Sequence, residues 1–271
     1  MNNKIKYWIW LSSVPGVGAV KSRKLLEHFK DIESVWNAKG DELVILPFLS
    51  RTDVINLTDE KIKKNADIQL ENILKHGIKA VTIEDDMYPV SLKNIYDPPI
   101  VLYMKGNIEK DEKFLAIVGS RRASSYGIKM AQTIAAELSK YGITVVSGMA
   151  RGIDSYAHKG AIEAGGRTIA VLGCGLDIVY PSENKKLMEN IISSGACVSE
   201  YLPGTSPIPG NFPARNRIIS GISLGVIVIE AGERSGSLIT ADFALEQGRE
   251  VFALPGNVNN YNSTGTNKLI K

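Results

Sequence analysis

Short apolar runs and amphipathic stretches alternate along the second part of the chain. The runs LAIV, ITVV, TIAVLG, ACVSE, GVIVIEA and EVFALPG are continuous rather than alternating in polarity and are rich in β-branched residues. Runs of that kind predict strands covered on both faces, as in a parallel sheet. Between them lie YGIKMAQTIAAELSKYG, which stops at Gly142, IDSYAHKGAIEAGG, which stops at a glycine pair, and SLITADFALEQG, which stops at Gly248. A glycine just past the last turn is a common way to end a helix. Strand and helix in strict alternation predict an α/β domain with a doubly wound parallel sheet. In such a sheet the ligand lies beyond the carboxyl ends of the strands, so the residues after each apolar run are where chemistry is expected.

The chain before this region reads differently. WIWLSSV, VKSRKLLEHF, IESVWNAK and DEKIKKNADIQLENILKHG have helical spacing, and Gly77 is expected to cap the last of them. A connecting region from Ile78 to Lys113 carries two short apolar runs, IKAVTI and IVLYMKG, separated by YPVSLKNIYDPP, where Pro98 and Pro99 bar helix. Two domains are therefore expected, a helical one over 1–77 and the α/β one over 78–271. Within the first, Val14-Pro15-Gly16-Val17-Gly18 precedes a helix bearing Lys21, Arg23 and Lys24, and looks like a helix-hairpin-helix. Such a turn offers backbone amides to a phosphate without reading bases, or simply joins two packed helices. The final stretch, GNVNNYNSTGTNKLIK, is polar and has no evident capping element.

Composition narrows the picture modestly. Hydrophobic residues make up 44% and charged residues 23%, the values of a water-soluble globular protein. Lysine and arginine number 32 against 29 acidic residues, a net charge of +3, which permits a polyanionic partner without requiring one. Cys174 and Cys197 are too few for a disulfide framework and lack metal-ligand spacing, so both are expected to be reduced core thiols. The apolar patch near the N-terminus is too short for a secretory segment, and no run approaches the ~20 apolar residues of a membrane span. A cytoplasmic protein with no membrane partner is expected.

The strand exits carry the candidate site. After LAIV come Gly119, Ser120, Arg121 and Arg122. The amides freed by the glycine, the Ser120 hydroxyl and the following helix N-terminus are all donors, and Arg121 adds a fixed guanidinium fork suited to phosphate oxygens. A surface turn with solvated arginines is the plainer alternative. After ITVV the chain reads Ser147-Gly148-Met149-Ala150-Arg151-Gly152-Ile153-Asp154, with Asp154 placed to cap the next helix and Arg151 free to pair with it or to face a ligand. Further along, Phe212-Pro213-Ala214-Arg215-Asn216-Arg217 opens a helix with arginines where the dipole disfavours them. A bound anion would offset both, as would carboxylates such as Glu200 or Glu230. Phe212 beside this cluster suits stacking on a base, although a buried phenylalanine is the commoner outcome. After the fifth run, Gly232, Ser235, Gly236 and Ser237 form another donor-rich rim.

Catalysis finds little support in the residues. The histidines are His28, His76 and His158, none in a serine–histidine–acid set, and no metal-ligand spacing, Walker motif or G-x-G-x-x-G follows the first strand. Gly173-Cys174-Gly175 lacks the third glycine of a dinucleotide fingerprint. Neither an enzyme nor a cofactor is expected, and the anion is expected to be gripped rather than transformed.

Taken together, IVGSRRASSYG, SGMARGIDSYAHKGA, TIAVLGCGLDIVYPSEN, FPARNRIISGIS and VIVIEAGERSGSLITADFALEQGREVFALPG closely resemble the DprA/Smf family, the DNA-processing proteins of bacterial natural transformation. The similarity runs from about Tyr88 to Asn267, and the turn at Pro15–Gly18 resembles the family's small helical N-terminal domain of helix-hairpin-helix or SAM-like class. The resemblance implies an extended Rossmann-like domain that binds single-stranded DNA without sequence preference, forms a homodimer and acts as a recombination mediator loading the RecA recombinase. The family's Gly-Ser-Arg turn falls on Gly119, Ser120 and Arg121, and its Phe-Pro-x-Arg-Asn-Arg segment on Phe212, Pro213, Arg215, Asn216 and Arg217. Its Gly-x-Ala-Arg-Gly-Ile-Asp loop falls on Gly148 to Asp154. Many members continue into a winged-helix domain beyond the point that corresponds to Lys271. One competing class shares the scaffold: nucleoside-monophosphate phosphoribohydrolases, for which Glu230 is the attractive acid, although their Pro-Gly-Gly-x-Gly-Thr loop is absent.

Overall fold

The computed structural model describes residues 4–271. Six helices come first: α1 (Ile5–Ser13), α2 (Ala19–Phe29), α3 (Ile32–Asn37), α4 (Gly40–Val44), α5 (Arg51–Thr58) and α6 (Glu60–Lys75). Four correspond to the predicted ones. The short α4 and α5 carry too few turns to show a helical period, and their evidence in the sequence lies instead in capping. Ser50 Oγ accepts from the Asp53 amide while an Asp53 carboxylate oxygen accepts from the Ser50 amide, closing a reciprocal cap at the start of α5. Helix α6 ends as expected: Gly77 takes φ +62°, its amide donates to Leu74 O, and the Ile78 amide reaches back to Ile73 O.

The sheet has eight strands: β1 (Lys79–Thr82), β2 (Val101–Gly106), β3 (Lys113–Val118), β4 (Ile143–Ser147), β5 (Thr168–Leu172), β6 (Ala196–Ser199), β7 (Gly225–Val228) and β8 (Glu250–Ala253), in the order β1-β2-β6-β5-β4-β3-β7-β8. The apolar runs after residue 113 supply the parallel strands. The sheet is not parallel throughout, because the two runs of the connecting region pair antiparallel with each other and add to the β6 edge. From β3 the chain steps outward through β4, β5 and β6, then crosses back to lay β7 on the other side of β3. Ala116 pairs there with Val226 and Val118 with Val228. The reversal opens a crevice beyond the carboxyl ends of β3 and β7.

The remaining helices are α7 (Val90–Lys93), α8 (Ser125–Lys140), α9 (Ile153–Glu163), α10 (Lys185–Ser194), α11 (Asn211–Ile222), α12 (Gly236–Glu246) and α13 (Thr264–Ile270). Buried apolar side chains cover both sheet faces. On one face the helical region packs directly onto the sheet: Trp10, Leu25 and Leu57 share a single buried cluster with Ile100, Tyr103, Leu172 and Met188. Ser12 Oγ and the buried Tyr103 hydroxyl lie 3.2 Å apart across this junction.

The hairpin Val14–Gly18 is tied down from inside. Lys21 Nζ donates to Gly16 O at 2.9 Å and to the buried Asp53 carboxylate at 2.6 Å, while Arg23 pairs with Glu27 and Lys24 lies over the Phe48 ring. Lys21, one of the cations expected to reinforce the turn, is thus spent holding it.

Candidate functional site

An open cleft of about 660 Å³ lies at the switch point of the sheet. The β3–α8 loop, the β7–α12 loop and the first turns of α11 and α12 line it. It brings together Gly119, Ser120, Arg121, Arg122, Phe212, Arg215, Asn216, Gly232, Ser235, Gly236 and Ser237 from the expected set. Gly148 and Arg151 border a smaller adjoining hollow, and Gly152 and Arg217 line neither.

The β3–α8 loop does not work as its sequence suggests. The helix starts late, at Ser125, and is capped by Ser124, whose Oγ accepts from the Gly127 amide at 3.1 Å. Glu230 enters from beyond β7, accepts from the Ser124 amide at 2.9 Å and is bonded by the Ser124 hydroxyl. The Ser120 amide is turned inward to Glu230 O at 2.8 Å, and Ser120 Oγ accepts from the Arg122 amide. Contrary to expectation, then, the amides of Ser120 and Ser124 are both taken up by Glu230 inside the protein. What the loop presents is the exposed pair Arg121 and Arg122. Arg121 lies over the Phe212 ring at 5.7 Å, within cation–π reach.

The helix N-termini that face the cleft are those of α11 and α12. Ser235 caps α12, its Oγ 2.8 Å from that of Ser237, and Asn216 Nδ2 donates to Gly236 O at 3.2 Å, linking the two helix starts. Both dipoles bring partial positive charge to the rim. Tyr180, 38% exposed, tilts against Phe212 with ring centroids 5.3 Å apart, giving an aromatic surface flanked by the Arg121 guanidinium. Tyr180 also lines the cleft, as do Tyr261 and Asn262.

The arginines of α11 divide. Arg215 is buried, and its Nη1 donates to Gly148 O at 2.9 Å and to Val171 O. Its Nε has no partner among the described residues, and burial lowers its pKa to about 10. Asp154, also buried, accepts from the Gly148 amide at 3.2 Å and sits in the first turn of α9. It is not that helix's cap; Gly152 holds the cap position at φ +73° and passes so close to Ser120 O that a Cβ would collide with it. Burial raises the Asp154 pKa against the opposing pull of Arg215. Arg217 leaves the expected cradle altogether. Its two Nη atoms hold Glu200 at 2.7 Å each and its Nε holds Asp97 at 2.8 Å, so carboxylates inside the protein already saturate the fork. Arg151 is exposed and paired with Glu183.

Among the cleft residues that escaped sequence reasoning are Tyr180, Tyr261 and Asn262. Tyr180 lies in the YPSEN stretch, whose aromatic carries no periodicity to mark it. Tyr261 and Asn262 lie in the polar tail, which folds back as a 3-10 turn and α13. The Ala231 amide donates to Asn262 O at 2.7 Å and Asn262 Nδ2 to Arg122 O at 2.8 Å. The asparagine at 260, which caps that turn, was the available signal.

Comparison with known proteins places this geometry. Residues 79–271 match the family model described as DNA recombination-mediator protein A. The chain is 39% identical over 274 residues to protein Smf of Synechocystis, covering 99% of this chain and 69% of that protein. It is 48% identical over 192 residues to the DNA processing protein DprA of Streptococcus pneumoniae, covering 70% of this chain and 67% of that one. The X-ray structure of the S. pneumoniae protein superposes with a TM-score of 0.79 at 37% identity, covering 98% of this chain and 92% of that chain. A structure of DprA from Helicobacter pylori, described for its single-stranded DNA binding mode, gives 0.65 at 36% identity, covering 71% and 87%.

Proposed function

The chain belongs to the DprA/Smf family of DNA recombination mediators, and from that membership we propose that its switch-point cleft grips single-stranded DNA by backbone and base stacking, without reading sequence. The observation that carries this reading is the exposed Arg121 guanidinium set against the Phe212–Tyr180 ring pair. A guanidinium beside stacked rings offers a phosphate contact and a base platform side by side, and both are indifferent to base identity. The helix starts of α11 and α12 add donors along the same rim.

Gripping is favoured over bond cleavage by the state of Glu230. The acid a phosphoribohydrolase would need is 2% exposed and committed to Ser124, outside the cleft lining. In this reading Arg215 and Asp154 support the cleft floor from beneath and Arg217 anchors α11. The finer family roles, loading of the RecA recombinase and action as a homodimer, are part of the same proposal, as is a division into a helical unit over 1–77 and a DNA-binding unit over 78–271.

The test is fluorescence anisotropy with a labelled single-stranded oligonucleotide and its matching duplex at two salt concentrations. The expected result is preference for the single strand, little change between base compositions, and affinity that falls as salt rises. Equal binding of strand and duplex, or binding insensitive to salt, removes the reading.

A further inference from the structure

Helices α8 and α9 follow the adjacent parallel strands β3 and β4 and lie side by side on one face of the sheet, over a shared core of Ile117, Ala131, Ala157 and Ala161. They touch closely: a Cβ on Gly160 of α9 would lie 2.5 Å from Gln132 O of α8. Both helices start at the arginine turn of the cleft. The Ile153 amide donates to Ser120 O at 3.2 Å, and one turn further the Tyr156 amide donates to Gly152 O. The seam between the helices therefore opens at Arg121 and Arg122 and leads away from the cleft. Ala123, Met130 and Tyr156, each half-buried against the shared core, lie along it.

This seam carries cations and rings without carboxylates. On α8, Tyr126, Lys129 and Thr133 recur at three- and four-residue spacing, so they share one face, and all three are exposed. Tyr126 shows 51% of its surface to solvent. On α9, Lys159 lies three residues after Tyr156, and its Nζ sits over the Tyr156 ring at 4.8 Å. The ring holds that ammonium in place by cation–π attraction. Neither Lys129 nor Lys159 has an ion-pair partner among the described residues. Asp154 is buried, and the first exposed carboxylates along the two helices are Glu137, already paired with Lys140, and Glu163. The positive charge nearest the cleft is thus left uncancelled by its own helices, and acids appear only towards their far ends.

We infer that this seam is a second DNA track: a single strand leaving the cleft past Arg121 and Arg122 continues along it, with phosphates on Lys129 and Lys159 and a base against the Tyr126 ring. Charge and continuity identify the occupant. Unpaired cations interleaved with exposed aromatic rings hold a strand without reading it, and the seam begins where the proposed groove ends. An acidic protein segment would match the charge but has no reason to enter at the arginine turn. The inference rests on reading the cleft as a single-strand groove and lengthens the footprint of that groove.

The experiment compares the parent with the double variant Lys129→Ala/Lys159→Ala on labelled oligothymidines of about 5 and about 15 nucleotides, near the two ends of the range of single-strand site sizes. Both lysines are exposed, and thermal melts confirm that the variant keeps the parent's Tm. The long strand is expected to bind the variant more weakly, with the slope of log affinity against log salt flattened by about 1.4, the loss of two phosphate contacts. The short strand, held by the cleft, should bind variant and parent alike. Tyr126→Ala should likewise weaken the long strand alone. Lys64→Ala/Lys75→Ala on α6 removes the same charge elsewhere and should leave both slopes unchanged. An unchanged long-strand slope in the seam variant, an equal flattening by the α6 variant, or equal weakening of both strands overturns the track. Arg121→Ala judges the cleft separately. If it weakens neither strand while the seam variant still weakens the long one, the failure lies with the cleft and not with the track; if the parent binds neither strand, both fall.

Discussion

Arg215 and Asp154 meet over the side chain that Gly148 lacks: Nη1 and Nη2 of the one and Oδ2 of the other each lie 2.7 Å from the point a Cβ would occupy. The buried Arg215 and Asp154 side chains therefore hold the β4–α9 loop between them. A methyl group at 148 would have to displace one or both. Gly148→Ala is expected to lower the Tm through a loss of stability of about 1–3 kcal/mol, the scale of overpacking, and to weaken oligonucleotide binding at the same time. A variant with the parent's melt and affinity would show that the loop is not held this way.

Arg121 and Arg217 should separate binding from stability. Arg121 is exposed at the rim, so Arg121→Ala is expected to leave the Tm unchanged and weaken binding to all sequences, flattening the dependence of log affinity on log salt by about 0.7. Arg217→Ala removes the partner of Glu200 and Asp97 and is expected to destabilise the fold by about 3 kcal/mol in denaturant titrations. If the two variants exchange these phenotypes, the assignment of rim and anchor is reversed.

The ring pair makes a different prediction. Phe212→Ala and Tyr180→Ala are each expected to cost about 1–3 kcal/mol of affinity for an ordinary oligonucleotide, the scale of one lost base stack. With an abasic strand of the same length the two variants should bind like the parent. An equal loss on abasic strands would mean that the rings shape the cleft rather than touch bases.

His158 carries a pH dependence. Its Nδ1 lies 2.6 Å from Thr168 Oγ1, which itself donates to Val145 O, so the network assigns the ring proton to Nδ1 and leaves Nε2 bare. Burial drives its pKa down to about 3 from the ordinary 6.5. The unfolded chain therefore takes up a proton that the folded chain refuses. Stability should fall as pH drops from about 6.5 towards 3, by up to about 1.4 kcal/mol per pH unit, and be flat from this source above 7. His158→Asn retains a donor to Thr168 and should remove that slope from urea midpoints measured across the range. An unchanged slope would place its origin in other groups.

Much of the fold was legible because apolar runs and glycine stops are local signals. LAIV through EVFALPG became strands, and Gly77, Gly142 and Gly248 followed helix ends at positive φ. The antiparallel ribbon was not legible: IKAVTI and IVLYMKG read as short apolar runs, and nothing within them says which edge they join. The site was half legible. The fold brings Arg121 and Phe212 to one cleft, and Glu200, named as one possible partner of the α11 arginines, holds Arg217, but the other partners of Arg217, Arg215 and Ser124 lie far away in sequence. Glu200, Asp97 and Glu230 show no spacing relation to the groups they satisfy. Sequence shows which loops are rich in donors; only the fold shows which donors are already taken.

The dependence of the cleft on distant segments bears on how the protein comes into being. Arg122 is held through Asn262, and Ser124, the cap residue of α8, is held by Glu230. A nascent chain emerging from the ribosome carries its arginine turn long before those residues are translated. The contacts that hold the cleft rim are thus complete only when synthesis has passed residue 262.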